Sequence, residues 1–192
     1  MEEKLIEELD PAFAERDRCR KSGIPVEIAK TRRLLLRETI MEDVPKLYKM
    51  CRQPEMQTYM EPLQQTLEEE MEFMEAYIRH MYAFYDFGLW TVLERGSGEI
   101  IGRAGLFPSK ILEEGVELGY LITADRRRRG YALECGRAIL AYASKTLDIP
   151  ELHVLVDNRN LPSVKTARRL GFIMKEKIRR GRTEYIHLIW HS

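Results

Sequence analysis

Val116-Glu117-Leu118-Gly119-Tyr120-Leu121-Ile122 runs into Thr123-Ala124-Asp125 and then Arg126-Arg127-Arg128-Arg129-Gly130-Tyr131-Ala132-Leu133-Glu134. The first seven residues have the length and composition of a strand, and Glu117 is the one charge among them. From about Arg129 to Leu147 the pattern turns helical, with Ala132, Leu133, Gly136, Leu140 and Ala143 on the inner side. A long helix directly behind a strand marks a mixed α/β sheet. The join between them suits an anion. The first turn of a helix presents unpaired N–H groups and the positive end of the dipole. Gly130 and small Ala132 let a ligand approach that backbone, and the arginines add charge. A pyrophosphate fits such a turn. A solvated basic loop and a nucleic-acid contact through the arginines are competing readings. A Walker or dinucleotide loop is not, because neither glycine pattern is present.

Upstream, Leu89–Leu93 and Glu99–Phe107 read as strands joined at Gly96-Ser97-Gly98. A long helix precedes them, capped by Thr66-x-x-Glu69, with Leu67, Met71, Met74, Ile78, Met81 and Tyr85 in one stripe. Pro54 and Pro62 bracket a loop. Thr39-x-x-Glu42 is a second capping pattern, starting a helix with Val44, Leu47, Tyr48 and Cys51 on one face. Leu34-Leu35-Leu36 has the length of a strand. Residues 1 to about 22 are charged and helix-prone, divided at Asp10-Pro11 and stopped at Gly23. They predict a helical extension over residues 1–30, packed onto a single domain of residues 31–192. Downstream come a strand over Leu152–Val156, a short helix over Pro162–Leu170 ended by Gly171, and a hairpin of Phe172–Ile178 with Glu184–Trp190.

The 31 basic side chains balance the 31 acidic ones. A protein that held nucleic acid through phosphates would be basic, and no aromatics interleave the arginine run, so no nucleic-acid partner is expected. Cys19, Cys51 and Cys135 are widely spaced and read as reduced thiols, with Cys135 in the core. The N-terminal residues show no signal peptide and no apolar run approaches a membrane span, which predicts a cytoplasmic protein without a membrane partner, monomer or homodimer. His80, His153, His187 and His191 lack metal-binding spacing, and no metal is expected. Glu68, Glu69, Glu70, Glu72 and Glu75 read as a solvated first turn that complements the helix dipole, or as a lure for a cationic substrate.

Arg127-Arg128-Arg129-Gly130-Tyr131-Ala132 resembles the Arg/Gln-x-x-Gly-x-Gly/Ala signature of the GNAT N-acetyltransferases, whose backbone amides there hold the coenzyme A pyrophosphate. The strand Val116-Glu117-Leu118-Gly119-Tyr120, the helix opening Gly130-Tyr131-Ala132-Leu133-Glu134, Asn160-x-x-Ser163 and Leu170-Gly171-Phe172 follow in the family's order. Arg33-Leu34-Leu35-Leu36-Arg37 is similar to the opening of the branch that includes the ribosomal-protein N-terminal acetyltransferases. The resemblance covers about residues 31–190. It implies the GNAT acyl-CoA N-acyltransferase fold, acetyl-CoA as co-substrate, and a primary amine of a protein N-terminus or small molecule as acceptor. Three positions depart from the pattern. Ala124 replaces a common proline, Arg127 replaces a frequent aromatic, and Ala167 stands where many relatives carry a catalytic tyrosine.

Acetyl transfer needs a neutral amine, an anchored thioester, a stabilised oxyanion and a proton for the leaving thiolate. The resemblance implies that Arg127, Arg128, Arg129, Gly130, Tyr131 and Ala132 hold the pyrophosphate. It implies also that the backbone of Leu121 and Ile122, on a splayed strand, binds the pantetheine, and that Asn160 bonds the coenzyme. Glu117 is the expected base, acting through water; a glutamate facing solvent or paired with an arginine is the alternative. The resemblance implies that Ser163 is the acid, the alternative being that Ser163 or Asn160 only caps a helix. Competing functions are a longer-chain acyl donor and a coenzyme A-binding module without turnover.

Overall fold

A computed structural model describes residues 11–192. The expected helix ahead of Pro11 lies outside the described residues. The first described element is α1 (Pro11–Lys21), which begins at proline, where no helical N–H is lost. It stops at Gly23 (φ +68°), whose amide reaches the Arg20 carbonyl at 3.1 Å. Glu27–Lys30, read as the end of the helical extension, is instead a strand, β1. A tight turn explains it: the Thr31 amide bonds the Leu34 carbonyl at 2.9 Å and folds β1 back onto β2 (Leu34–Arg37). Ile28 and Ala29 then pack against the main core, which outweighs the helix propensity of so short a segment.

The Thr39–Glu42 capping box does not form. The Thr39 hydroxyl lies in the core against Thr91 Oγ1 (3.0 Å) and the Leu89 carbonyl (3.3 Å). The Ile40 amide donates to the Asp43 carboxylate at 3.2 Å instead. Buried Asp43 also accepts two bonds from Arg37 (2.6 and 2.7 Å) and one from Thr91 (2.9 Å), more donors than exposed Glu42 could gather. A 3-10 turn, Met41–Asp43, leads into α2 (Val44–Cys51). Pro54–Gln57, expected as loop, form a single helical turn, α3, with proline at its start.

The second capping box does form. The Glu69 amide donates to Thr66 Oγ1 (3.2 Å), and the Thr66 amide donates to the Glu69 carboxylate (3.1 Å), at the head of α4 (Leu67–Tyr85). Its inner stripe includes Met74 as expected but is rotated toward Tyr82, leaving Tyr85 exposed. Tyr82 wins because its hydroxyl donates to the Leu89 carbonyl (2.7 Å) and accepts from the Thr39 amide (3.1 Å), so it is buried with both bonds made. Glu70, expected in solvent, is also buried; its carboxylate accepts from the Gln64 amide at 3.2 Å.

Charge holds α1 to the domain. Arg20 donates to Glu38 (2.9 Å from Nε) and to Asp86 (2.6 Å from Nη2), and Arg16 Nε donates to Asp86 at 2.8 Å. None of these four side chains is more than 15% exposed, so removal of one partner would strand a poorly solvated charge.

The remaining elements keep the expected order: β3 (Leu89–Glu94), β4 (Ile100–Pro108), β5 (Val116–Ile122), α5 (Tyr131–Lys145), β6 (Glu151–Asp157), α6 (Leu161–Arg169), β7 (Ile173–Arg180) and β8 (Thr183–His191). The strands form one eight-stranded sheet in the order β1-β2-β3-β4-β5-β6-β8-β7. Every neighbouring pair is antiparallel except β5 and β6, which the α5 crossover joins. Side chains alternate across the sheet. Trp90 points to the α5 face, where its ring meets Tyr142 edge-on with centroids 5.4 Å apart, a contact worth about 0.5–1.5 kcal/mol beyond its buried area. Leu118, Tyr120 and Ile122 share that face through the β4–β5 register. Thr91, Glu117 and Leu121 therefore take the opposite face, that of α2 and α4.

Candidate active site at the split between two parallel strands

β5 pairs with β4 along its whole length, from Val116 to Ile122, yet meets β6 only at Glu117 and His153. Beyond that bridge the two strands part. The β6-facing edge of β5 is thus free of strand partners from Leu118 to Ile122. Gly119 makes room for a neighbour on the Glu117 face: a Cβ there would stand 2.7 Å from the Phe107 ring, which packs over this point of β5.

β5 leads through a 3-10 turn, Ala124–Arg126, to the foot of α5. Arg127 is extended, Arg128 takes φ +60° and Gly130 takes φ +81° as the N-cap of the helix. This winding turns the amides outward. The Arg127 amide still reaches the Ala124 carbonyl (3.3 Å), and the Glu134 amide reaches the Gly130 carbonyl (3.0 Å). Between them, the amides of Arg128 to Leu133 have no acceptor among the described residues. Consecutive free amides at a helix start form a concave anion site. Gly130 keeps it accessible, since a Cβ there would meet only the Arg33 guanidinium, at 3.5 Å.

The four arginines divide into two kinds. Arg126 is paired with Glu99 (2.6 Å) and Glu94 (3.3 Å). The Arg127 guanidinium donates to the Ile122 carbonyl (3.2 Å) and the Glu55 carbonyl (3.0 Å), tying the turn to β5 and α3. Arg128 and Arg129 are exposed, and neither side chain has an acidic partner among the described residues. Arg33 braces the turn from behind. It donates to Glu134 Oε2 (2.7 Å) and the Arg129 carbonyl (2.9 Å), and its guanidinium lies 4.4 Å from the centre of the Tyr131 ring. The Tyr131 hydroxyl is bonded to Glu94, so that residue contributes its amide to the concavity while its side chain anchors the helix.

Glu117 is buried. Burial holds its carboxyl above the ordinary carboxylate range, and a hydrogen bond from Ser109 (2.5 Å) works against that rise. Neither alternative for Glu117 is realised: it does not face solvent, and no arginine pairs with it among the described residues. Across the bridge, His153 is buried with its Nδ1 3.0 Å from His187 Nε2. Burial lowers the His153 pKa, favouring the neutral ring.

The GNAT acetyltransferase domain family matches residues 33–173, which span β2 to the start of β7 and include both the split and the arginine turn. The chain belongs to the GNAT acetyltransferase family. Among curated relatives, YkkB of Bacillus subtilis is 30% identical over 97 residues, covering 50% of this chain and 56% of that protein. The N-acetyltransferase YjdG of the same organism is 28% identical over 104 residues, covering 54% and 60%. The chain therefore spans less than two thirds of the length of either relative. RimL, a ribosomal L7/L12 alpha-N-protein acetyltransferase, has the same fold, with a TM-score of 0.75 at 15% identity over 89% of this chain and 97% of that one. The eight-stranded mixed sheet is thus the GNAT sheet, and ribosomal-protein acetyltransferases stand among its structural neighbours.

On this GNAT scaffold α6 follows β6, beyond the split. Asn160 is its N-cap, with Oδ1 accepting from the Ser163 amide at 3.3 Å. The capping role thus falls to Asn160, and the half-buried Ser163 hydroxyl has no partner among the described residues. Ala167 is buried one turn further on. Cys135 is fully buried, and burial pushes its thiol up to about 12, which leaves it inert at neutral pH. Among the described residues no group of three or more His, Cys, Asp or Glu could hold a metal, and no helix is long and apolar enough to cross a membrane. Ser109 and the His153–His187 pair carried no signal in the sequence. Their significance comes from the β4–β5 loop closing over Glu117 and from the β5–β6 register, neither of which a linear pattern encodes.

Proposed function

We propose that this GNAT protein transfers an acetyl group from acetyl-CoA to a primary amine, of a protein N-terminus or a small molecule, by direct attack in a ternary complex. The observation that carries the reading is the run of free amides from Arg128 to Leu133 beside the open edge of β5. The amides of Arg128, Arg129, Gly130, Tyr131 and Ala132 suit the pyrophosphate of coenzyme A, and the Arg128 and Arg129 side chains add charge beside it. Arg127 acts by shaping the turn. The β6-facing edge of β5 at Leu121 and Ile122, which has no strand partner, suits the pantetheine amides, with Asn160 bonding the coenzyme. The acyl group then lies near Glu117.

Ionised Glu117 takes a proton from the acceptor ammonium, directly or through one water, and the freed nitrogen lone pair attacks the thioester carbonyl. As the tetrahedral intermediate collapses the C–S bond breaks. The Ser163 hydroxyl gives its proton to the leaving sulfur and is re-protonated by the proton that nitrogen sheds. A carboxyl raised by burial is a better base near neutrality than an ordinary one, provided it remains ionised. An α-amine, with a pKa of about 7.7–8.0 against about 10.4 for lysine, makes the smaller demand on that base.

The test is a thiol-release screen with acetyl-CoA against peptide N-termini, polyamines, amino acids and aminoglycosides, with mass spectrometry of the products. Release of free thiol matched by acetylation of one amine class supports the proposal. Tight coenzyme A binding without release for any amine would mark a binding module and overturn it.

A further inference from the structure

Ser109 stands just past the end of β4, where its amide bonds the Gly115 carbonyl at 2.8 Å and closes the loop to β5. Its Oγ accepts from two amides inside that loop, Ile111 at 3.2 Å and Leu112 at 3.0 Å. A hydroxyl has two acceptor sites and one proton. Both acceptor sites are thus filled, and the remaining O–H points at Glu117 Oε1, 2.5 Å away. The count fixes the direction of that bond. A protonated Glu117 could not donate to Ser109, because no acceptor site is left there. The loop itself is pinned from two sides: Arg180 donates to the Ile111 carbonyl at 3.0 Å, and Lys110 pairs with Glu61 at 2.5 Å.

We infer that Ser109 is a positioning residue for acetyl transfer, holding Glu117 as a hydrogen-bond acceptor through Oε1 and leaving Oε2 for the incoming amine or its bridging water. The inference rests on the base role proposed above for Glu117. Ser109 does two things here. It fixes the rotamer of a carboxylate that has no other hydrogen-bond partner among the described residues. It also favours the ionised form against burial, the form in which a base acts. The groups that face Glu117 are Ser109 and Lys110 from the β4–β5 loop, Glu61 from the segment after α3, and His153 from β6. Lys110 and Glu61 are exposed and paired with each other, and burial favours neutral His153, which leaves the Ser109 bond as the direct polar support.

The experiment compares parent, Ser109→Ala, Ser109→Thr and Glu117→Gln in kcat, in KM for acetyl-CoA and in the pH profile of kcat, with thermal melts to establish folding. The carboxyl infrared band of Glu117 gives its ionisation independently of turnover. Ser109→Ala is expected to lower kcat about tenfold, leave the KM for acetyl-CoA unchanged, and move both the acidic limb and the Glu117 titration up by about one pH unit. Ser109→Thr, which keeps the hydroxyl, should restore most of kcat. If Glu117→Gln is slow but folded Ser109→Ala keeps the parent pH profile and infrared titration, the inference about Ser109 is wrong and the base role stands. If Glu117→Gln is as active as the parent, the base role falls and the inference falls with it.

Discussion

Glu117 and His153 face each other across the one bridge that joins β5 to β6, and burial drives both toward their neutral forms. Burial raises the carboxyl above its usual range and lowers the imidazole below its own. A general base must be ionised to act, so the rate should fall as pH drops through the raised pKa of Glu117. Glu117→Gln should slow transfer by about 100- to 10,000-fold near neutrality. The deficit should shrink as pH rises and the amine becomes neutral unaided, at lower pH for an α-amine than for a lysine. Parallel pH–rate profiles for parent and variant, both fully active, would remove Glu117 from the mechanism.

Asn160 and Ser163 should separate cleanly in experiment. Asn160 caps α6 through the Ser163 amide, so Asn160→Ala should cost about 1 kcal/mol of stability in a denaturant titration. Ser163→Ala removes a hydroxyl that makes no structural bond among the described residues, so its melting temperature should match the parent. Its kcat should fall with little change in KM for acetyl-CoA, since an acid acts chiefly in the transition state. A Ser163→Ala protein with lower stability and normal turnover would contradict this assignment.

The arginine run should divide in the same way. Arg128→Ala and Arg129→Ala remove unpaired exposed charges and should each raise the KM for acetyl-CoA about two- to fivefold, less at high salt. Arg126→Ala breaks bonds to Glu94 and Glu99 and should affect stability more than KM. Equal KM effects for all three, measured by initial rates, would mean that the paired and unpaired arginines do not differ toward the ligand.

Much of this was legible in the sequence because local patterns and tertiary contacts agree. The β5–α5 join, the Thr66–Glu69 cap and the closing hairpin each carry their instruction within a few residues. What stayed hidden depends on partners distant in the chain. Thr39 looked like a cap until Thr91 and Leu89 claimed its hydroxyl, and Tyr82 replaced Tyr85 in the core because the Leu89 carbonyl lay within reach. The division of the arginines likewise required Glu55, Glu94 and Glu99, none of them close in sequence. Ser109 was silent for the same reason: only the loop closure between β4 and β5 brings its proton to Glu117.

The central claim, that coenzyme A is held at the foot of α5, is tested most directly by calorimetric titration of acetyl-CoA into the parent and into Gly130→Glu. A glutamate at Gly130 would bring a negative charge to the first turn of α5, where it would repel a bound pyrophosphate. Non-glycine residues at φ +81° also carry strain, so a melt must first establish that the variant is folded. The account predicts measurable binding by the parent and a loss of roughly tenfold or more in folded Gly130→Glu, the effect of at least one lost charge-assisted hydrogen bond. Undiminished affinity in the folded variant would contradict it.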